Sequence, residues 1–222
     1  RMRNLNADEI YDQVVAIDRQ SRLYFDRPLS NIVFMGMGEP LMNYKNLINA
    51  IEKITQQDGL GMSPSRITVS TSGIPKIIMK MADDQVRFGL AVSLHSARQN
   101  VRAKLMPFAE KFPLNDLADA IKYWYDKTEK IVTYEYVVWK GINDSDEDIN
   151  ALLNFCKNSP CKVNLIEYNP IGDHQFMQAE KNIIKAYEKA LEAQRITVTV
   201  RRSRGKDIDA ACGQLANKDK LV

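Results

Sequence analysis

Only three cysteines and two histidines occur in these 222 residues. Three cysteines build no disulfide framework in a chain of this length, and their scarcity points to a reducing, cytoplasmic setting. No Cys/His set has zinc spacing, so no metal site is expected from this chain alone. No run nears the ~18 apolar residues that a membrane span needs. No charged-then-apolar leader marks secretion, although the opening Arg1-Met2-Arg3 does not read as a natural start. A dominant charge is missing too: 31 Lys and Arg against 28 Asp and Glu leave a net +3. Any RNA partner would therefore meet a local basic patch and not a basic protein. There is no solenoid-period repeat and no low-complexity tract.

What is present is ordinary globular composition, 45% apolar and 27% charged, enough for one sizeable core and hence one domain, 1–222. Apolar, β-branched runs alternate with amphipathic stretches. Strands are expected at Asn31–Met35, Arg66–Thr71, Phe88–Leu94, Ile131–Trp139, Lys162–Tyr168 and Ile196–Arg201. Helices are expected at Ala7–Tyr24, Asn43–Gln56, Leu114–Lys127, Asp146–Lys157 and Gln178–Ala193, with Asn43 and Ser145 as N-caps. Regular alternation means right-handed crossovers and a parallel sheet, and a helix ahead of any strand suggests a missing upstream strand. A doubly wound sheet and a barrel both fit that count. Polar residues collected at the carboxyl ends of successive strands favour a barrel with one ligand mouth.

Those residues carry the candidate chemistry. Gly36-Met37-Gly38-Glu39-Pro40 lets a ligand approach the backbone beside a carboxylate that can hold an ammonium group, or it is a tight turn. Ser70-Thr71-Ser72-Gly73 offers three hydroxyls, one read as capping the helix near Ile74 and another as a ligand contact. His95, in Ser93-Leu94-His95, is read as a hydrogen-bonding residue in preference to a base. Cys156 and Cys161, with four residues between them, fit no CxxC redox pair and are expected to be buried as small apolar groups. Cys212 differs: Arg201, Arg202, Arg204 and Lys206 lie just ahead of it, and positive charge favours a thiolate.

In order, GMGEP, STSG, SLH, RAKLMP, KGINDSDED, YNP and RGKDIDAACGQL resemble the radical-SAM RNA methylases of the RlmN/Cfr family, from about residue 3 to 216. GMGEP alone is shared loosely by many radical-SAM proteins; the terminal string joined to KGINDSDED is the specific part. The resemblance implies an α/β fold, a partial (β/α)6 radical-SAM barrel of TIM-like kind lacking its first strand and cluster loop. It implies that S-adenosylmethionine binds across the strand ends. Gly38 and Glu39 match the pair at the cofactor's amino group. Ser70, Ser93, Leu94, His95 and Asn169 match further positions around it. Cys212 matches the cysteine that is itself methylated, so that the transferred carbon passes through a methylated thiol before joining an adenine ring.

The family's 4Fe-4S cluster sits on CxxxCxxC, which these three cysteines cannot replace. The resemblance therefore implies ligands and an RNA-binding domain upstream of residue 1, a C-terminal extension over about 196–222, and no radical chemistry by this chain alone. RlmN-like members methylate carbon 2 of an adenosine in 23S rRNA and in tRNA; Cfr-like members attack carbon 8. Pro40, Ser72 and the Arg202/Arg204 pair favour the former. The implied partners are those RNAs and a flavodoxin-type electron donor, with no membrane and a monomeric state. Rival readings are a radical-SAM enzyme with a non-RNA substrate, which would not need Cys212 in this setting, and a non-catalytic barrel binding RNA or a nucleoside.

Overall fold

The computed structural model describes residues 3–35, 38–169 and 176–201. Six strands, β1 (Ile32–Phe34), β2 (Ile67–Thr71), β3 (Gly89–Ser93), β4 (Val132–Val138), β5 (Cys161–Glu167) and β6 (Thr197–Arg201), form one sheet. Their order in space is their order in sequence, and every neighbouring pair is parallel. A doubly wound sheet reverses its strand order at a switch point. This one never does. The sheet wraps in one sense as a partial barrel, which resolves the alternative that strand counting left open.

Helix α1 (Ala7–Phe25) precedes the first strand, and α2 (Tyr44–Thr55), α3 (Pro75–Asp83), α4 (Gln99–Leu105), α5 (Leu114–Thr128), α6 (Asp146–Cys156) and α7 (Lys181–Ala193) lie in the crossovers and cover the outer face. The period of two along each strand divides the residues. Val132, Tyr134, Tyr136 and Val138 of β4, Leu90 and Val92 of β3, and Val163 and Leu165 of β5 pack outward into the core. The alternating residues Thr133, Glu135, Asn164 and Ser93 face the inside, which leaves the barrel interior polar.

Local signals explain the helix starts unevenly. Ser145 caps α6 as expected, its hydroxyl accepting from the Asp148 N–H while Asp148 reaches back to the Ser145 N–H. Asn43 precedes α2 without a side-chain cap. Its Nδ2 instead donates to the Leu5 carbonyl at 2.8 Å and ties the first residues onto the barrel. Nor does any hydroxyl of Ser70-Thr71-Ser72 cap α3, whose N-cap is Ile74; those groups have another use. The seven-residue α4 was not expected: Arg98-Gln99-Asn100 and Arg102-Ala103-Lys104 leave too few apolar positions for a periodic signal.

Among the described residues β1 pairs only with β2 and forms one edge of the sheet. Beside it lies a cavity of about 350 Å³ lined by residues including Leu5, Val14, Val33, Phe34 and Leu47. The best-buried large side chain is on the far side: Trp124 of α5 is 0% exposed and donates from Nε1 to the Lys130 carbonyl at 2.9 Å. Trp124→Ala should destabilise the fold by about 3–5 kcal/mol through lost burial and an unfilled cavity. Chemical denaturation of the two proteins checks this, with a lower midpoint at an unchanged slope as the expected result.

Candidate functional site

Glu39 follows β1 and places its carboxylate against the end of β2. One oxygen accepts from the Leu41 N–H at 3.0 Å and the Thr71 hydroxyl at 2.7 Å. The other accepts from the Ser72 N–H at 2.7 Å and the Ser72 hydroxyl at 2.6 Å. This is where the STSG hydroxyls go. Thr71 Oγ1 also accepts the Gly73 N–H at 3.0 Å, folding the turn back on itself. Gly73 has φ of +93°, and a Cβ there would come within 2.9 Å of a Leu117 methyl, so the turn needs glycine. All four donors to Glu39 are neutral, and among the described residues no Lys or Arg pairs with it. Its negative charge is held in position but not compensated.

At the end of β3 the chain turns on His95, whose φ is +57°. A non-glycine residue in that region costs free energy and persists only where its surroundings fix it. Here they do. The Ser96 N–H donates across the turn to the Leu94 carbonyl at 2.7 Å, a three-residue turn. The Leu94 and His95 N–H groups donate to the Glu135 carbonyl at 3.0 and 3.3 Å. Asn143, fully buried, donates from Nδ2 to the carbonyls of His95 and Val137 at 2.7 and 2.8 Å and accepts the Trp139 N–H at 2.7 Å. The KGIND string is thus a brace that joins the ends of β3 and β4.

His95 Nδ1 accepts the Val137 N–H at 3.2 Å. That bond requires a bare Nδ1, so the ring is the neutral tautomer with its proton on Nε2, a donor and not a base. Burial and the nearby Arg102 charge hold its pKa down to about 4. Arg102 of α4 is itself 0% exposed. Its guanidinium donates to the carbonyls of Ser72 at 2.6 Å, Leu94 at 3.2 Å and Ser93 at 3.3 Å. It ties the two strand-end turns together without a carboxylate partner among the described residues. Burial lowers its pKa to about 10, which leaves it charged.

The expected site residues therefore converge. Gly38, Glu39, Ser70, Ser93, Leu94, His95 and Asn169 all lie at or just past the carboxyl ends of β1, β2, β3 and β5, with Ser70 and Asn169 buried. Gly36, Met37 and Cys212 lie outside the described residues. Four groups were missed from sequence: Arg102, Asn143, the inward Glu135, and a ring cluster. In that cluster Trp139 meets His95 at 5.6 Å, Phe176 at 5.8 Å and Tyr168 at 6.1 Å between centroids. The Trp139 indole N–H and the Tyr168 hydroxyl are buried and find no partner among the described residues. Cys156 and Cys161 sit at the opposite, amino end of β5. Cys156 is buried as expected, and its hydrogen bond with Cys161 and its burial push its thiol pKa up; Cys161 is only half-buried, and the same bond draws its thiol pKa down.

No family model matches the chain. Curated relatives do. It is 70% identical over 218 residues to a protein of Christiangramia forsetii and 68% identical over 222 residues to one of Flavobacterium johnsoniae, each named "Probable dual-specificity RNA methyltransferase RlmN". These matches cover 98% and 100% of this chain but 62% and 64% of the relatives, so the chain spans less than two thirds of their length. The crystal structure of a radical SAM methyltransferase from Sphaerobacter thermophilus superposes with a TM-score of 0.92 at 40% identity, over 96% of this chain and 62% of that one. In sequence this chain is similar to proteins named RlmN, and in fold to a radical SAM methyltransferase. A domain of the pyruvate-formate lyase-activating enzyme from Bacteroides vulgatus, at 16% identity and a TM-score of 0.62, shares the fold alone.

The neutral, half-buried His95 makes a prediction about stability. Its folded pKa of about 4 lies below the ordinary value of 6.5, so between these values the unfolded chain binds more protons. Stability should then rise with pH across that window, and acidification towards pH 4 should remove roughly 3 kcal/mol. Replacing His95 by Asn, which tolerates the left-handed backbone, should flatten that slope. Denaturant unfolding at several pH values, together with the ring-nitrogen shifts of His95, checks both.

Proposed function

We propose that this chain is the cofactor- and substrate-holding barrel of a methyltransferase that modifies carbon 2 of an adenosine in 23S rRNA and in tRNA. The observation that carries the reading is Glu39: a carboxylate fixed by four neutral donors at the mouth, with no ion pair to a Lys or Arg among the described residues. The complement of that group is an ammonium, and S-adenosylmethionine carries one on its amino-acid end. The residues around it suit the rest of such a ligand. Ser70 and Ser93 supply hydroxyls on the inner face, His95 an Nε2–H donor, and Trp139 and Tyr168 donors still to be satisfied. A buried polar group without a partner calls for one, and a bound nucleoside offers acceptors.

When bound, S-adenosylmethionine supplies the methyl group and, with a reduced 4Fe-4S cluster, the radical chemistry. The chain's own part is placement. Glu39 orients the amino-acid end, the His95 turn and Asn169 border the nucleoside, and Cys212 is the thiol that carries the methyl group. The basic residues ahead of Cys212 favour its thiolate. The cluster is a different matter. No group of three or more His, Cys, Asp or Glu among the described residues can hold a metal ion, and Cys156 and Cys161 face away from the mouth. The cluster does not fit on these residues, and the 222 residues alone are expected to be inactive in radical chemistry. An RNA substrate, a flavodoxin-type electron donor and a cytoplasmic location complete the proposal; among the described residues no helix is long and apolar enough to cross a membrane.

Cys212→Ala in the complete gene product tests the assignment. Mass spectrometry of nucleosides from RNA treated with the variant should show loss of 2-methyladenosine, while cluster absorbance and cofactor cleavage persist. Undiminished methylation would sink the role of Cys212, and 8-methyladenosine from the unmodified protein would move the reading to the carbon-8 reaction.

A further inference from the structure

The inner face of the barrel carries a polar row that sequence patterning hid. Ser93, Glu135, Asn164 and Thr199 are successive register partners across β3, β4, β5 and β6. Their side chains point the same way, into the interior. Glu135 is 6% exposed, a carboxylate in the middle of the sheet. Its Oε1 accepts from Asn164 Nδ2 at 2.8 Å. Its Oε2 accepts from Arg201 Nη1 at 3.2 Å, and this arginine pairs in register with Ile166, one inward position nearer the mouth. The arginine therefore leans back over β5 to reach the acid. Its side chain remains 45% exposed, against 7% for that of Glu135.

We propose that Arg201 is an oxyanion contact at the barrel mouth and that Glu135 is the residue that positions it. The proposal rests on the reading that this mouth binds S-adenosylmethionine and RNA. An arginine fork carries several N–H donors in one plane. Among the described residues a single one is used, on Glu135. The buried acid fixes the plane of the fork, and Asn164 fixes the acid. The unused donors sit on the exposed side, above the same row that holds Ser93. A group fixed at one end and open at the other suits an oxygen anion, because a carboxylate or phosphate can take two of its N–H bonds. Both proposed ligands bring such an oxygen: the cofactor its carboxylate, the RNA its phosphates.

The test uses the complete gene product with its cluster reconstituted, unchanged or carrying Arg201→Gln, Arg201→Lys or Glu135→Gln. Dissociation constants are measured for S-adenosylmethionine and for its decarboxylated analogue. A short RNA hairpin with a loop adenosine is titrated at several salt concentrations. If the cofactor carboxylate is the partner, Arg201→Gln should weaken S-adenosylmethionine roughly tenfold and leave the decarboxylated analogue unchanged. If a phosphate is the partner, the salt dependence of RNA binding should lose about one unit of slope. Either result supports the contact and names its source. Arg201→Lys, which keeps the charge but not the fork, should recover part of the loss. Glu135→Gln should weaken the same ligand and not the other. Unchanged cofactor affinity and unchanged salt slope in Arg201→Gln would overturn the proposal; so would a Glu135→Gln protein that binds like the unchanged one. Failure of the unchanged protein to bind either ligand would instead overturn the reading of the mouth.

Discussion

A parallel sheet wrapped in one sense has to give each strand two unlike faces, and the rest of this molecule follows from that constraint. The outer face must meet helices, so Tyr134, Tyr136, Leu90, Val92, Val163 and Leu165 are almost wholly buried there. Among the described residues no helix follows on the inner face. It carries small and polar residues instead, and strand polarity turns them into one mouth, because all six carboxyl ends point the same way. Fixing the ends is then a separate problem for side chains. Glu39 fastens β1 to β2, Arg102 fastens β2 to β3, and Asn143 fastens β3 to β4. Each bridges adjacent strands, so the mouth is built as a chain of neighbouring clasps.

Two of these clasps use charge in ways that would be costly if the ligand were ignored. A buried charge without an opposite partner is normally disfavoured, and carbonyl dipoles only partly make up for the lost water. Arg102 is held by three carbonyls and no acid, while Glu39 is held by four neutral donors and no base. The two lie on either side of Ser72, whose N–H and hydroxyl go to Glu39 and whose carbonyl accepts from Arg102. Ser72 thus touches both charged groups, giving its donors to the acid and its acceptor to the arginine. The arrangement leaves the acid, and not the arginine, facing the mouth. That polarity suits a ligand whose nearest group is cationic.

The fold was largely legible in the sequence, because it depends on periodicity. Runs such as Val132–Val138 and helices such as Leu114–Thr128 declare themselves through apolar spacing. The monotonic strand order did not, since any pairing order gives the same alternation, and polar strand ends had to stand in for it. The site was legible as a list of positions and not as a set of contacts. Glu39 and Ser72 are far apart in sequence, so the STSG hydroxyls read most simply as helix caps; only the fold brings the acid to them. Asn143 was visible only inside a motif string. Glu135 was invisible altogether, because Tyr134 and Tyr136 make its strand look apolar while it points the other way.

His95 shows how strongly the site is determined once those contacts exist. A left-handed residue with a ring could be an isolated strained turn, free to relax when a ligand leaves. Here its carbonyl, its N–H and its Nδ1 are each bound by β4 or by the turn that follows it. Relaxing φ would break all three and pull the ring from its packing against Trp139. The strain is therefore carried by the β3–β4 junction as a whole and not by one residue. A site stiffened in this way presents its donors in place before a ligand arrives, so less of the binding free energy is lost to ordering them.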